Sequence, residues 1–222
     1  ISAILYAVSF FAVIVLFSQS TNVKAETEKI FPYAMTYNTW TDAADADHDL
    51  AVIEAELQDL PGYKTADIHF WYPDIESRSP LMAQSNYNQI MPLLGREPIA
   101  LSDTGMYLVA GTTDAVLNSV PASVEQFLQA NHVSLSVEGQ TDQIITLTGF
   151  TRGICVVPDA VLSTLKSQLT ERTITVFSYD NWENNSQSPV AIFTVLEDTL
   201  QQGDANVVSA YRYYRSSQIQ NN

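Results

Sequence analysis

Residues 65–72 read TADIHFWY and residues 173–179 read TITVFSY, and both stretches are predicted to be β-strands. The second is dominated by β-branched and aromatic side chains, which favour strands. Before both of them, residues 45–60 place Leu50, Ile53, Leu57 and Leu60 at steps of 3, 4 and 3, a helical face that ends at Pro61-Gly62. Because strands and helices are mixed along the chain, we expect an α+β fold, a mixed sheet with packed helices.

The rest of the chain continues this mixture. Further strands are predicted at residues 31–40, 106–110, 133–137, 144–150, 154–157 and 205–211, and further helices at residues 85–94, 121–131, 158–169 and 189–200. Gly95 follows one of these helices, as is typical of a helix C-terminus. The sequence Glu138-Gly139-Gln140-Thr141 between two of the strands predicts a hairpin turn.

Composition excludes several classes of protein. The 222 residues include 10 Lys plus Arg against 25 Asp plus Glu, a formal net charge of −15. A nucleic-acid partner is therefore excluded, since phosphate contacts need clustered basic residues. With Cys155 as the single cysteine, a disulfide scaffold and a multi-cysteine zinc site are also excluded.

The N-terminal residues 1–17, ISAILYAVSFFAVIVLF, are uncharged and apolar. As a helix they would rise roughly 26 Å, close to the bilayer core of about 30 Å. We expect a partial transmembrane helix there, with a signal peptide or a buried core helix as alternatives. Residues 18–30 are then a helical stalk, residues 31–210 an extracellular α+β domain, and residues 211–222, rich in Tyr and Arg, a return segment toward the next transmembrane helix.

No motif for catalysis is found. The chain lacks G-x-S-x-G, H-E-x-x-H, G-x-x-x-x-G-K-[ST] and G-x-G-x-x-G. Cys155, in the apolar run ICVV, is predicted to be a buried small side chain rather than a nucleophile. His48, His69 and His132 show no ligand spacing. We therefore expect no enzymatic activity, catalytic residue, metal site or cofactor in this chain.

A calcium loop is the one metal site that the spacing suggests. Asp45, Asp47, Asp49 and Glu56 fall at positions 1, 3, 5 and 12 of an EF-hand loop, but Leu50 stands where that loop needs Gly. A helix N-terminus rich in acidic residues, which the helix dipole favours, is the preferred interpretation.

Acidic residues concentrate in one segment. Residues 42–76 hold ten carboxylates and one base, Lys64, a local net charge of −9. Such a field attracts cations and cationic peptides, mainly by raising association rates, although solubility alone would also explain it. The candidate surface for a cationic partner comprises Asp42, Asp45, Asp47, Asp49, Glu54 and Glu56.

Several short segments resemble one family of membrane proteins. Residues 82–89, MAQSNYNQ, followed by residues 93–99, LLGREPI, are similar to the S-x-Y-N … L-L-G-K-x-P-I pattern in the large extracellular loop of FtsX-like ABC transporter permeases of the bacitracin-resistance type, found in Gram-positive bacteria. The segments ETEKIFPY at residues 26–33, VVPD at residues 156–159 and YRYY at residues 211–214 agree in order and spacing.

The resemblance implies a loop domain between two membrane spans, at the cell membrane with its main domain outside. It also implies partners, namely a separate ABC ATPase subunit and a sensor histidine kinase that join the full permease. The implied role is sensing cell-wall-targeting peptide antibiotics or removing them from lipid-linked cell-wall precursors. No catalytic residue is implied for this loop.

Two other functions remain open from the sequence. A membrane-anchored extracellular adhesion or carbohydrate-binding module would use exposed aromatic residues for stacking on sugars; the candidates are Trp40, Trp71, Tyr72 and Trp182. Aromatic side chains also bury large areas, so core packing is the alternative for each. An anchored hydrolase is disfavoured by the missing motifs.

Overall fold

The computed structural model describes residues 33–39, 43–111, 119–143, 145, 153–180, 199–200 and 207–209. Within these ranges the fold is α+β, as expected, with one mixed sheet of eight strands and four α-helices. The elements are β1 (Met35–Thr39), α1 (Ala43–Leu57), β2 (Lys64–Tyr72), β3 (Leu81–Ala83), α2 (Gln84–Ile90), β4 (Gly105–Ala110), α3 (Ala122–Ala130), β5 (Ser136–Thr141), β6 (Gly153–Val157), α4 (Asp159–Leu165), β7 (Thr170–Ser178) and β8 (Val207–Ser209). Short 3-10 turns follow α2 at Met91–Leu94 and α4 at Lys166–Gln168.

The predicted partial transmembrane helix, the stalk and the return segment lie outside the described residues, as does nearly all of the helix predicted for residues 189–200. No helix in the part of the chain that the structure describes is both long enough and apolar enough to cross a membrane.

The two strands predicted first form the centre of the sheet. The strand order is β5-β4-β6-β3-β2-β7-β1-β8. β2 and β7 pair antiparallel over nine positions, from Lys64 opposite Ser178 to Tyr72 opposite Thr170. The pairs β3–β6 and β4–β5 are parallel, and the other neighbours are antiparallel. The sheet is therefore mixed, with a long antiparallel pair beside shorter parallel ones.

The hairpin prediction is wrong. Residues 138–141, predicted as a turn, lie inside β5, which pairs parallel with β4. Gly139 lies opposite Tyr107, and a Cβ on Gly139 would come within 2.7 Å of the Tyr107 ring. Glu138 accepts hydrogen bonds from the Ser102 N–H at 3.1 Å and the Ser102 hydroxyl at 2.5 Å. Gly139 thus allows the Tyr107 ring to pack against β5, and Glu138 attaches the loop that contains Ser102. Their sequence is nevertheless typical of a turn.

One face of the sheet is covered by α2 and the 3-10 turn that follows it. Ala66, Ile68, Phe70 and Tyr72 of β2 alternate onto this face and pack with residues from α2 and its 3-10 turn, including Tyr87, Ile90 and Met91. We call it the α2 face. Its core also contains Tyr33, which is fully buried.

The opposite face is covered at its two ends. At one end α1 packs through Ala46, Ile53 and Leu57 on β1 and on Phe177 of β7. At the other end α3 and α4 pack on β3, β4 and β6, through side chains that include Val124, Leu128, Leu162 and Leu165. The strand register places both clusters on this face. Tyr37, Thr175 and Asp67 are successive partners across the sheet at the α1 end. Trp71, Leu81 and Cys155 are successive partners at the other end. Between the two ends, β2 and β7 have no helix packed against them among the described elements.

Candidate functional site

Part of the acidic segment forms the outer surface of α1. The side chains of Asp47, Glu54 and Glu56 are exposed. The sequence of α1, AADADHDLAVIEAEL, contains no Lys or Arg, so no base within the helix offsets these charges. Asp45 lies in the first turn of α1, where the structure describes only the backbone, and Asp42 lies outside the described residues. Three residues of the predicted surface are therefore exposed on one helix.

Asp49 was predicted to belong to the cationic-partner surface, and this prediction is wrong, because its carboxylate is fully buried. The Tyr37 hydroxyl donates a hydrogen bond to Asp49 Oδ2 at 2.9 Å. The helical period explains the burial. Asp49 lies three residues after Ala46 and four before Ile53, and both of these face the sheet. Asp49 is therefore part of the interface between α1 and β1 and is removed from the cationic-partner surface.

The EF-hand-like spacing falls on a helix. Asp45, Asp47, Asp49 and Glu56 all lie in α1, as the acidic helix N-terminus interpretation predicts, and the exposed Asp47 and buried Asp49 face different directions. Within the described residues, no group of three His, Cys, Asp or Glu side chains is arranged to hold a metal ion.

Cys155 is buried in β6, as predicted. Burial raises the pKa of its thiol to about 12, because the apolar surroundings disfavour the thiolate. It packs with residues of β3, β4 and the helices α3 and α4. A thiol with this pKa is unsuited to nucleophilic attack at neutral pH.

The aromatic candidates for sugar stacking are separated by the fold. Tyr72 is buried on the α2 face, and only 8% of its surface is exposed. Trp71 is half-buried on the opposite face, where the Lys166 ammonium lies 4.5 Å from its ring centroid. Trp40 and Trp182 lie outside the described residues. Tyr72 is therefore a core residue, and Trp71 is the one member of the set whose ring the structure places at the surface.

The uncovered middle of the opposite face carries polar side chains that the sequence analysis did not group. We call this the open strip and define it by Asp67, His69 and Trp71 of β2 with Glu171 and Thr173 of β7. All five are exposed or half-buried, and 40% of the His69 side chain and 42% of the Glu171 side chain are exposed. The alternation of polar and apolar residues in 65–72 already indicated that Asp67, His69 and Trp71 share a face, since residues two apart on a strand point to the same side.

Hydrogen bonds between β2 and β7 order the open strip. His69 Nδ1 lies 3.0 Å from Glu171 Oε1 and 3.2 Å from the Thr173 hydroxyl. The Thr175 hydroxyl donates to Asp67 Oδ1 at 2.7 Å. In the described part of the chain, neither Asp67 nor Glu171 forms an ion pair with a lysine or arginine. The strip therefore presents two carboxylates that are held by His69 and Thr175.

The segment that carries the family resemblance is occupied by structural contacts. Gln84 and Asn88, one turn apart on α2, bond the backbone of residues 99–101. Asn86 accepts from the His69 N–H at 2.8 Å and donates to the Asp67 carbonyl at 2.7 Å. β3 pairs with β2 at a single position, so most backbone groups along that edge of β2 have no partner from β3. The Asn86 side chain bonds two of these groups. These amides build the scaffold behind the open strip.

Other residues of the resembling segments also belong to the core. Burial raises the pKa of Tyr87 to about 12 and that of Tyr33 further, while the nearby Arg96 charge partly opposes both shifts. Gly95 ends the Met91–Leu94 turn with φ +63°, a conformation that favours glycine. The described residues of the resembling segments thus fill the core and set turns of the backbone in this chain.

Comparison with known proteins gives no family assignment. No protein-family model and no curated protein matches this chain. Among solved structures, one match is a Bacillus anthracis protein provisionally named a lipoprotein, with 12% identity and a TM-score of 0.42, covering 79% of this chain and 94% of that one.

Proposed function

We propose that this chain is the extracellular domain of an FtsX-like ABC transporter permease that takes part in sensing or removing cell-wall-targeting peptide antibiotics. The proposal rests on the resembling segments in order along the chain. It also rests on the acidic surface, whose described members are Asp47, Glu54 and Glu56 on a helix without basic residues. In this role an ATPase subunit would supply energy, and the chain would capture cationic peptides outside the membrane.

The observation that carries the proposal is that the exposed carboxylates of α1 are not offset by any lysine or arginine in the same helix. Each exposed carboxylate contributes little binding energy alone. Their summed field acts on the encounter with a cation and falls off over a Debye length of about 8 Å at physiological ionic strength. Capture by this surface should therefore appear in the association rate and in its dependence on salt.

The test uses the full chain in nanodiscs of neutral lipid and a cationic lantibiotic-type peptide. The variant Asp47→Asn/Glu54→Gln/Glu56→Gln should slow association by about two- to five-fold at low salt and by less at high salt. The control Asp103→Asn/Glu125→Gln/Asp142→Asn removes the same charge from exposed sites elsewhere and should change association less. Equal rates in all three proteins, without dependence on salt, would refute capture by α1.

The location of the domain needs its own test. Ser134, exposed before β5, is replaced by Cys in the full chain expressed in bacterial cells. We expect an impermeant maleimide to label it in intact cells, while the buried Cys155 stays unlabelled as an internal control. Labelling only after lysis would contradict an extracellular domain.

The alternative carbohydrate-binding function has less support, because Tyr72 belongs to the core. Of its described candidates, Trp71 alone keeps a surface position, and Lys166 lies over its ring. Binding of a neutral glycan to the same nanodisc sample, without salt dependence, would favour that alternative over peptide capture.

A further inference from the structure

The open strip ends in a pair of groups suited to a cationic side chain. Trp71 and Glu171 are direct partners across the β2–β7 pair. An aromatic face attracts cations, and a carboxylate beside it adds charge complementarity. Lys166, from the 3-10 turn after α4, lies over the Trp71 ring at 4.5 Å. The protein's own lysine thus demonstrates that the ring face accepts an ammonium group.

The second carboxylate of the strip lies at a defined distance from the first. Asp67 precedes Trp71 by four residues on β2, which corresponds to about 13 Å along the strand, and Glu171 lies one strand spacing of about 5 Å to the side. The two carboxylates are therefore about 14 Å apart across the strip. An extended peptide spans this distance with two side chains four residues apart, both on the same side of the peptide.

We propose that the open strip binds an extended basic peptide segment, with one Lys or Arg at Trp71 and Glu171 and a second, four residues away, at Asp67. For the class of ligand this inference rests on the proposed function. The site itself rests on a part of the sheet against which no described helix packs and on two exposed carboxylates. Glu171 contacts His69, and neither carboxylate forms an ion pair with a lysine or arginine among the described residues. Anionic ligands are disfavoured at these carboxylates by charge.

Lys166 is then a competitor for the incoming cation. Its position over Trp71 places a positive charge beside the Glu171 end of the strip. An incoming guanidinium is planar and stacks on an aromatic face more effectively than an ammonium does. Removal of Lys166 should therefore strengthen peptide binding, whereas a merely structural cation–π contact would have no effect on affinity.

The test measures the affinity of short peptides for the full chain in nanodiscs of neutral lipid. One peptide, RTVTR, has arginines four residues apart, and the matched peptide RTRTV has them two apart. We expect tighter binding of RTVTR. Asp67→Asn and Glu171→Gln should each weaken it by about two- to five-fold and remove the preference for spacing. Lys166→Ala should tighten it about two-fold, and the control Asp142→Asn should leave it unchanged.

Equal affinity of the two peptides for the wild-type chain would overturn this inference, as would unchanged binding of RTVTR to the Asp67→Asn/Glu171→Gln variant. Either result leaves the proposed function intact if the α1 triple variant still slows capture of the cationic antibiotic. Conversely, a spacing preference that depends on Asp67 and Glu171 supports the open strip even if the α1 variant has no effect. Binding of a neutral glycan that Asp67→Asn/Glu171→Gln weakens, together with no binding of RTVTR, would assign the strip to sugars and refute the proposal.

Discussion

The side-chain amide of Asn88 forms both hydrogen bonds that a neighbouring strand would supply to Ile99. Nδ2 donates to the Ile99 carbonyl at 2.8 Å, and Oδ1 accepts from the Ile99 N–H at 2.8 Å. Gln84, one turn earlier on α2, extends the contact to the Ile99 carbonyl and the Leu101 N–H, each at 3.2 Å. A helix thus fastens an irregular segment by imitating the edge of a sheet, which satisfies part-buried backbone groups.

Loss of this amide should destabilise the fold. Asn88→Ala leaves the N–H and carbonyl of Ile99 with fewer partners, and we expect the free energy of unfolding to fall by about 1–3 kcal/mol. Asn88→Asp keeps the acceptor but replaces the donor with a carboxylate oxygen that repels the Ile99 carbonyl, so a loss at least as large is expected. Denaturant unfolding measures both. Gln89→Ala, at the exposed neighbouring position of α2, is the control, and an equal loss there would contradict the role of Asn88.

The two aspartates of α1 that differ in burial should respond differently to substitution. Asp49→Ala removes an acceptor of the Tyr37 hydroxyl and leaves a gap beneath α1, so we expect a loss of about 1–3 kcal/mol in stability. Asp47→Ala, at an exposed position of the same helix, should change stability by about 0.5 kcal/mol or less. Thermal unfolding of the two variants side by side would contradict the burial of Asp49 if their losses were the same.

Two residues with positive φ should give opposite results on substitution. His132 follows α3 with φ +58°, a conformation that is unfavourable for a residue with a Cβ. His132→Gly should therefore raise the free energy of unfolding by about 0.5–1 kcal/mol, because the left-handed strain exceeds the added chain entropy. Gly95→Ala should lower it by about 1 kcal/mol through strain alone, since no atom lies within 4 Å of the added methyl group. Unfolding curves in which both variants shift in the same direction would reject this explanation.

Stability should fall at alkaline pH. The folded pKa of Cys155 is about 12, above its ordinary value of 9.0, so below pH 9 both folded and unfolded thiols are protonated and the contribution to stability is complete. Between pH 9 and 12 the unfolded thiol ionises first, which favours unfolding. The raised pKa of Tyr87, about 12 against 10.0, acts in the same direction from about pH 10. Denaturation at pH 8 and pH 10.5 measures the loss, and Cys155→Ala should reduce it; an unchanged pH dependence in that variant would contradict the assignment.

The strands and helices that were predicted correctly include those whose side chains have a clear local period. β2, β7 and α1 lie where residues 65–72, 173–179 and 45–60 predict them, and Gly95 ends a helical segment as predicted. β3 was not predicted, because three residues are too few for a period to be visible. The hairpin was predicted wrongly, because Gly139 is needed beneath the Tyr107 ring and not for a turn.

The candidate site was less predictable than the fold. The acidic character of residues 42–76 was clear from composition, and the exposure of Asp47, Glu54 and Glu56 follows from it. The burial of Asp49 was not predicted, because a carboxylate in an acidic segment was expected to be exposed, although Asp49 lies one helical turn before Ile53 of the predicted apolar face. The open strip depends on the pairing of residues about 100 positions apart, such as His69 with Glu171, which no local pattern contains.

The sequence alone determined the α+β class, the acidic charge and the burial of Cys155, because these follow from composition and from side-chain periods of two and 3.6 residues. The tertiary structure decided the parallel pairing of β5, the inward position of Asp49 and the strip between α1 and the pair α3 and α4. These features depend on contacts between distant segments. A strand's period shows that it has two faces, but the neighbouring elements decide which face a helix covers and which stays open to a partner.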